Sequence, residues 1–151
     1  MIFRPGPASY GADMPGLLHV TADDGTSLAA IYLPNTLARR TVFYFHGNAE
    51  DLGRVAPILQ DLHRAGYAVL AFDYRGYGLS DGRATEKNVY ADTRVVLAFA
   101  ASTLGVTPES LVLLGRSMGS GPAVELATQI QPAGLVLVSP FASVLRVITR
   151  V

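Results

Sequence analysis

Apolar residues along the chain fall into short continuous runs, each followed by a turn or by a stretch with helical spacing. Two runs, at 17–21 and 27–33, flank Asp23-Asp24-Gly25-Thr26, and Asp-Gly favours the positive φ of a hairpin turn. Four further runs have the length of buried strands: 41–46, 67–73, 111–114 and 134–139. The pattern therefore predicts six strands, the first two joined as a β-hairpin.

Helical spacing fills the gaps between the later strands. Apolar residues three or four positions apart mark three stretches: Val55, Ile58, Leu59 and Leu62, then Val89, Val96 and Phe99, then Ala123, Val124, Leu126 and Ala127. We expect the first helix to end at Gly66 and the second to be capped by Thr85. Strands that alternate with helices after a hairpin predict an α/β fold with a mostly parallel sheet.

Composition narrows the class of protein. A length of 151 residues predicts one domain at 17–151, preceded by a proline- and glycine-rich irregular lead-in at 1–16. Twelve basic and twelve acidic residues leave no net charge, which argues against a nucleic-acid or anionic-membrane surface. The chain has no cysteine and no apolar stretch of transmembrane length, and residues 1–7 lack the apolar core of a signal peptide. We expect a cytoplasmic protein without a cofactor or metal site.

The fifth strand leads into Gly115-Arg116-Ser117-Met118-Gly119, which carries the candidate chemistry. A serine on a sharp strand-to-helix turn projects its hydroxyl above the sheet, and side chains at the two flanking glycine positions would collide with neighbouring elements. The helix N-terminus behind it offers N–H groups to an oxyanion. The alternative is a glycine-rich turn with an incidental serine.

Other polar clusters follow the predicted strands at their carboxyl ends. These are His46-Gly47-Asn48, Asp73-Tyr74-Arg75 and Ser139-Pro140. Because ligands of parallel sheets bind beyond the carboxyl ends of the strands, these clusters and Ser117 are expected at one edge.

Three stretches in this order resemble the α/β-hydrolase superfamily. They are residues 46–51 (HGNAED), 73–81 (DYRGYGLSD) and 115–123 (GRSMGSGPA), and with Ser139-Pro140-Phe141 they resemble the subgroup of serine-aminopeptidase-like hydrolases and protein depalmitoylases. The resemblance covers nearly all of the chain from Leu17 onward. It implies an α/β-hydrolase fold with helices on both faces of the sheet.

The resemblance implies a serine hydrolase acting on an ester, a thioester or an amide of a small-molecule or acylated substrate. Ser117 is then the nucleophile, and the oxyanion hole consists of the backbone N–H groups of Met118 and Asn48. For the His46 imidazole we favour a role in shaping the loop. Asp73 and Arg75 are expected to brace the glycine-rich loop, while Ser80 and Asp81 are expected to form turns.

The sequence departs from the family after Ser117. The family triad follows the order serine, acid, histidine, but here the only later acid is Glu125, inside the predicted elbow helix, and no histidine follows. His19, His46 and His63 all precede the serine. We therefore expect a hydrolase domain truncated after the sixth strand, with little or no activity of its own. The alternatives are a catalytically inactive binding or scaffold domain, and a histidine supplied by another chain.

Truncation would also leave the sixth strand at an edge of the sheet. Its sequence, Gly-Leu-Val-Leu-Val-Ser at 134–139, contains no lysine or proline to discourage pairing. We expect the isolated chain to form homo-oligomers or to aggregate through this edge or through the apolar C-terminal tail. The sequence does not name the substrate.

Overall fold

The computed structural model describes residues 3–140. Its elements, in chain order, are strands β1 (Leu17–Thr21), β2 (Ser27–Leu33) and β3 (Thr41–Phe45), helix α1 (Leu52–Arg64), strand β4 (Ala68–Phe72), helix α2 (Glu86–Thr103), strand β5 (Leu111–Arg116), helix α3 (Ser120–Ala127) and strand β6 (Gly134–Val138). Two single 3-10 turns, Pro108–Ser110 and Ser117–Gly119, precede and follow β5. This is the predicted order of elements, with strand ends that differ by one or two residues.

The strands form one sheet in the order β1-β2-β4-β3-β5-β6. The β1–β2 hairpin continues antiparallel onto β4, whereas the β4–β3, β3–β5 and β5–β6 pairs are parallel. Every residue of β3 and β4 is buried, because both strands have a neighbour on each side and helices on both faces. The predicted mostly parallel α/β-hydrolase sheet is confirmed.

Each face of the sheet has its own core. On one face, α1 packs through Leu52, Val55 and Leu59. On the other, α2 and α3 cover a larger core that contains Phe43, Phe45 and Phe72, among others. Phe43 and Phe45 lie with ring centroids 4.4 Å apart, beneath the turn that follows β5.

Local signals explain the helix ends. Thr85 accepts a hydrogen bond from Asn88 N, and the Asn88 side chain accepts one from Thr85 N, so the two residues form a reciprocal cap at the start of α2. Asp51 caps α1 by accepting from Arg54 N at 3.0 Å. The predicted helix at α1 is confirmed, and within it Leu59 is completely buried whereas Ile58 is 36% exposed.

Two parts of the chain flank this sheet. Residues 3–16 contain no helix or strand, yet they dock on the body of the protein through Arg4, Ser9 and Tyr10. At the opposite end, β6 pairs with β5, and within residues 3–140 no strand covers its outer edge. Residues 141–151, which include the predicted apolar tail and Phe141, lie outside the described residues.

Candidate active site

Ser117 occupies the sharp turn between β5 and α3. Its φ is +50°, a left-handed conformation that side chains other than glycine rarely adopt and that costs about 1–3 kcal/mol. The residue is exposed, although Met118 and Gly119 immediately after it are buried. A strained backbone thus presents the hydroxyl group of Ser117 to solvent at the carboxyl edge of the sheet.

The two flanking glycines are required by close backbone packing. A Cβ on Gly115 would lie 2.6 Å from Gly119 O and 2.8 Å from the Cα of Ser120. A Cβ on Gly119 would overlap the carbonyl group of Phe45 and would lie 2.8 Å from His46 O. The elbow therefore lies directly against the end of β3, with no side chain between the two backbones.

The start of α3 stabilises this turn. The Ser120 hydroxyl donates a hydrogen bond to Ser117 O at 2.6 Å. Met118 lies in the first turn of the helical segment, where backbone N–H groups have no acceptor within the helix. An N–H group in this position can donate a hydrogen bond to an oxyanion.

The loop that follows β3 holds Asn48 close to the same edge. Asn48 Oδ1 accepts hydrogen bonds from the Tyr77 hydroxyl at 2.6 Å and from Arg4 N at 2.9 Å. Burial raises the pKa of Tyr77 to about 12, although the hydrogen bond from Arg4 N opposes the shift. The Tyr77 hydroxyl therefore keeps its proton and remains a donor to Asn48 at neutral pH.

A carboxylate joins this loop to the elbow. Glu50 Oε2 accepts a hydrogen bond from Gly47 N at 2.7 Å, while Glu50 Oε1 pairs with Nη1 of Arg116. Arg116 is the residue before Ser117, so one side chain contacts both segments. Since β3 and β5 are neighbours, with Phe45 opposite Gly115, these contacts continue the pairing of the two strands beyond their ends.

His46 is completely buried at this edge. Its Nδ1 lies 2.9 Å from Gly47 O, and its Nε2 lies 3.1 Å from Asp73 Oδ1 without the alignment that a good hydrogen bond needs. The ring also stacks on Tyr74, with centroids 4.2 Å apart. The imidazole is thus enclosed by the loop, as expected for a residue that shapes it.

Neither of the other histidines lies near Ser117. His19 is on β1, four strand positions from β5, which corresponds to roughly 19 Å at about 4.8 Å per strand. His63 Nε2 lies 3.0 Å from Pro34 O, just beyond the end of β2 that pairs with the start of β4. His63 is therefore at the amino end of the parallel strands, opposite the candidate site.

Asp73 and Arg75 hold the segments around the glycine-rich loop together. Asp73 is completely buried and accepts hydrogen bonds from Leu52 N at 3.0 Å and from the Tyr10 hydroxyl at 2.5 Å. Burial, reinforced by the negative charge of Asp73, raises the pKa of Tyr10 well above its usual value. Arg75 pairs with the buried Asp92 of α2 at 2.7 Å and with Asp24 of the hairpin turn at 2.5 Å. These contacts match the bracing roles expected for Asp73 and Arg75.

Sequence reasoning missed the contribution of Ser80. Its buried hydroxyl donates to Asp73 O at 2.7 Å and accepts from Ala29 N at 2.9 Å, so it joins the glycine-rich loop to β2 and β4. It also missed the docking of residues 3–16 at this edge. Glu125 lies in α3, where it pairs with Arg94 at 3.0 Å.

The predicted site residues therefore come from two adjacent segments at one edge of the sheet: Ser117 and Met118 from the elbow, and Asn48 from the loop after β3. Within residues 3–140, no three histidine, aspartate or glutamate side chains are grouped as a metal site would require. The same described residues contain no helix with the length and apolarity needed to cross a bilayer.

Comparison with known proteins agrees with this architecture. Residues 36–150 match the family described as Serine aminopeptidase, S33. Alpha/beta hydrolase domain-containing protein 17C of Xenopus tropicalis is 41% identical over 111 residues, which are 73% of this chain and 36% of that protein. The human protein 17B is 36% identical over 127 residues, covering 82% of this chain and 43% of the relative. The chain thus spans less than half the length of these curated relatives.

Solved structures share the fold. The Pyrococcus furiosus esterase PF2001 superposes with a TM-score of 0.74 at 24% identity, over 91% of this chain and 56% of the esterase, and at that identity the likeness concerns the fold alone. An alpha-beta hydrolase from Vibrio vulnificus superposes with a TM-score of 0.75 at 25% identity, over 88% of this chain and 48% of that structure.

Proposed function

The chain belongs to the Serine aminopeptidase, S33 family of α/β hydrolases, and from this premise we propose that it carries the nucleophile and the oxyanion hole of a serine hydrolase acting on an ester, thioester or amide. The observation that carries the proposal is the backbone of Ser117, whose φ of +50° exposes the hydroxyl between two tightly packed glycines. Backbone strain of this kind is common at active sites, where the surrounding packing holds it in place.

In the proposed reaction, the Ser117 oxygen attacks the substrate carbonyl carbon and the carbonyl oxygen becomes negatively charged. The N–H groups of Met118 and Asn48 are proposed to stabilise this oxyanion. The proton of the serine hydroxyl passes to a base, which returns it to the leaving group as the intermediate collapses and releases the alcohol, thiol or amine. The acyl group then remains on Ser117 until water hydrolyses it.

The base is the part of this mechanism that the described residues do not provide. His46 is enclosed in its loop, His19 lies on β1, and His63 lies in the last turn of α1. A serine without a base stays protonated and is a weak nucleophile. We therefore propose that the 151-residue chain alone turns over esters near the background rate, since the remaining oxyanion and binding contributions give only a small remnant of full activity.

Chemical rescue tests this proposal. The chain is incubated with a fluorophosphonate probe and with increasing imidazole at pH 8, and labelled Ser117 is quantified by peptide mass spectrometry. We expect slow labelling whose rate rises in proportion to imidazole and vanishes in Ser117→Ala. Rapid labelling without imidazole would instead indicate a base within the chain, and His46→Gln would be the first variant to test.

One rival is a catalytically inactive binding or scaffold domain, which agrees with the position of His19, His46 and His63 away from the Ser117 hydroxyl. In that case the elbow has no catalytic role and forms no oxyanion hole, so imidazole does not accelerate labelling of Ser117. Labelling that stays at the rate of free serine at every imidazole concentration would support this rival and would overturn the proposed hydrolase.

A further inference from the structure

Glu50 links the two segments that carry the proposed oxyanion hole. Its Oε2 atom accepts from Gly47 N at 2.7 Å, and its Oε1 atom pairs with the guanidinium of Arg116. Both carboxylate oxygens are therefore used, one on each side of the gap between the loop and the elbow. The Glu50 side chain is 21% exposed and that of Arg116 is 43% exposed.

Several contacts hold this loop in place. The Tyr74 hydroxyl donates to His46 O at 3.0 Å, and Glu50 N reaches Gly47 O at 3.4 Å, a long hydrogen bond. A Cβ on Gly47 would lie 2.9 Å from Glu50 Oε2, so the absence of a side chain at Gly47 allows the carboxylate to contact the loop backbone. Glu50 thus contacts both the loop, at Gly47 N, and the elbow, at Arg116.

We propose that Glu50 is a positioning residue, which sets the separation between the Asn48 amide and Ser117 by fixing Gly47 on one side and Arg116 on the other. The inference rests on the proposed function, because it assigns the purpose of the contact to the oxyanion hole. This ion pair is partly exposed, and solvent screens the attraction between its charges, so its contribution to stability alone does not account for the arrangement. A displacement of about 1 Å in a catalytic group, in contrast, can lower a rate by about 100-fold.

The first readout does not depend on activity. Amide hydrogen exchange is measured for Gly47 and Asn48 in the 151-residue chain and in its Glu50→Ala, Glu50→Gln and Arg116→Met variants. Glu50→Ala removes the acceptor of Gly47 N–H, so exchange there should rise about 5- to 10-fold. Glu50→Gln retains an acceptor oxygen and should show a smaller rise. Unchanged exchange in Glu50→Ala would overturn the positioning role.

The second readout separates positioning from simple folding. Fluorophosphonate labelling in the presence of imidazole is resolved into the maximal labelling rate and the probe concentration at half-maximal rate. Glu50→Ala should lower the maximal rate about 10-fold, because the displaced Asn48 amide no longer stabilises the negative charge on the probe oxygen. The half-saturating probe concentration should stay unchanged. Arg116→Met should lower the maximal labelling rate less. The variant with both substitutions should label no more slowly than Glu50→Ala, since both substitutions break the same contact between the loop and the elbow.

Asp61→Asn provides the matched control, because Asp61 forms an exposed ion pair with Arg64 on α1, away from the elbow. It should change neither exchange at Gly47 nor the labelling rate. Failure of wild-type labelling would count against the proposed function, whereas the exchange data would still decide whether Glu50 holds the loop. Equal loss of labelling in Asp61→Asn and Glu50→Ala would overturn the inference.

Discussion

The α-carbon of Gly119 packs directly against the carbonyl group of Phe45, so that a methyl group at position 119 would overlap the carbonyl carbon and oxygen. Because that carbonyl belongs to the last residue of a central strand, it has little room to move away. The contact fixes the height of the elbow above the sheet. It also makes position 119 sensitive to substitution for a reason independent of any substrate.

Overpacking typically costs about 1–3 kcal/mol, and Gly119→Ala should lower the free energy of unfolding by at least this amount. Gly119→Val should lower it further. Urea denaturation followed by circular dichroism measures the change. Gly134→Ala is the matched control, because a Cβ at Gly134 would meet no atom within 4 Å. Equal stabilities of Gly119→Ala and wild type would contradict the packing of the elbow.

The strain at Ser117 predicts a difference between two small substitutions. Ser117→Gly removes the Cβ that makes a φ of +50° unfavourable, whereas Ser117→Ala retains it. Glycine relieves the backbone strain, but its unfolded state has a greater conformational entropy, which lowers the free energy of unfolding. The net result should be a glycine variant that is more stable than the alanine variant by about 1 kcal/mol. Thermal unfolding of both variants tests this. A less stable glycine variant would show that the turn stores no strain.

Arg75 should be essential for stability because its partner is buried. The Asp92 side chain is 1% exposed and accepts from two nitrogens of Arg75, at 2.8 and 2.7 Å. Arg75→Met leaves this carboxylate unpaired and should cost about 3–5 kcal/mol. Arg94→Met breaks a more exposed pair with Glu125 and should cost about 0–1 kcal/mol. Partial recovery in Arg75→Met with Asp92→Leu would confirm that the unpaired charge causes the loss.

Asp51 should contribute to the acid sensitivity of the protein. Burial tends to raise its pKa, but hydrogen bonds from the Ser9 side chain and from the amides of Arg54 and Ser9 outweigh this and lower it. A carboxylate with a lowered folded pKa stabilises the fold above its unfolded pKa of about 3.9 and loses that contribution as pH falls through the folded pKa. Asp51→Asn should therefore flatten the decline in stability below about pH 4.

The same position caps α1, which gives a second comparison. Asn retains a side-chain acceptor for Arg54 N, whereas Asp51→Ala loses the cap and should cost about 0.5–2 kcal/mol at neutral pH. Denaturant midpoints between pH 3 and pH 7 separate the two effects. If the stability of Asp51→Asn declines below pH 4 as steeply as that of wild type, other carboxylates cause the acid sensitivity.

Association through the edge of β6 stays a prediction. Leu135, Val136 and Val138 are 41–43% exposed, and within residues 3–140 no strand pairs with the outer edge of β6. We expect light scattering over a dilution series to show oligomers of the 16.0 kDa chain, and Val136→Lys to shift them toward monomer. A monodisperse monomer at high micromolar concentration would contradict this prediction.

The sequence was sufficient for the order and type of the elements. The continuous apolar runs of β3 and β4 predicted strands covered on both faces, and Thr85 predicted the start of α2, because these signals depend on neighbouring residues. The sequence also predicts the elbow, because two glycines around a serine favour a sharp turn between a strand and a helix. The placement of Ser117 on a left-handed backbone agrees with that reading.

Contacts between residues distant in sequence were beyond this reasoning. The sequence predicts a turn at Ser80, but it does not predict that the Ser80 hydroxyl joins Asp73 to Ala29 of β2. It places Asp51 in a motif, but it does not predict that Asp51 also caps α1 and binds Ser9. Glu50 belongs to the same stretch, 46–51, but its ion pair with Arg116 spans 66 positions and no local pattern indicates that partner. Such pairings follow from topology, which local patterns do not encode.

The docking of residues 3–16 has a consequence for synthesis on the ribosome. Arg4 N reaches the Tyr77 hydroxyl across 73 positions, and Leu79 N reaches the Tyr10 hydroxyl across 69. Residues 3–16 complete their contacts only after the glycine-rich loop has been synthesised, although Ser9 can meet Asp51 earlier, and closing so long a loop delays contact formation. During synthesis this segment therefore stays incompletely docked until residue 79 has left the exit tunnel, a period in which chaperones have access to it.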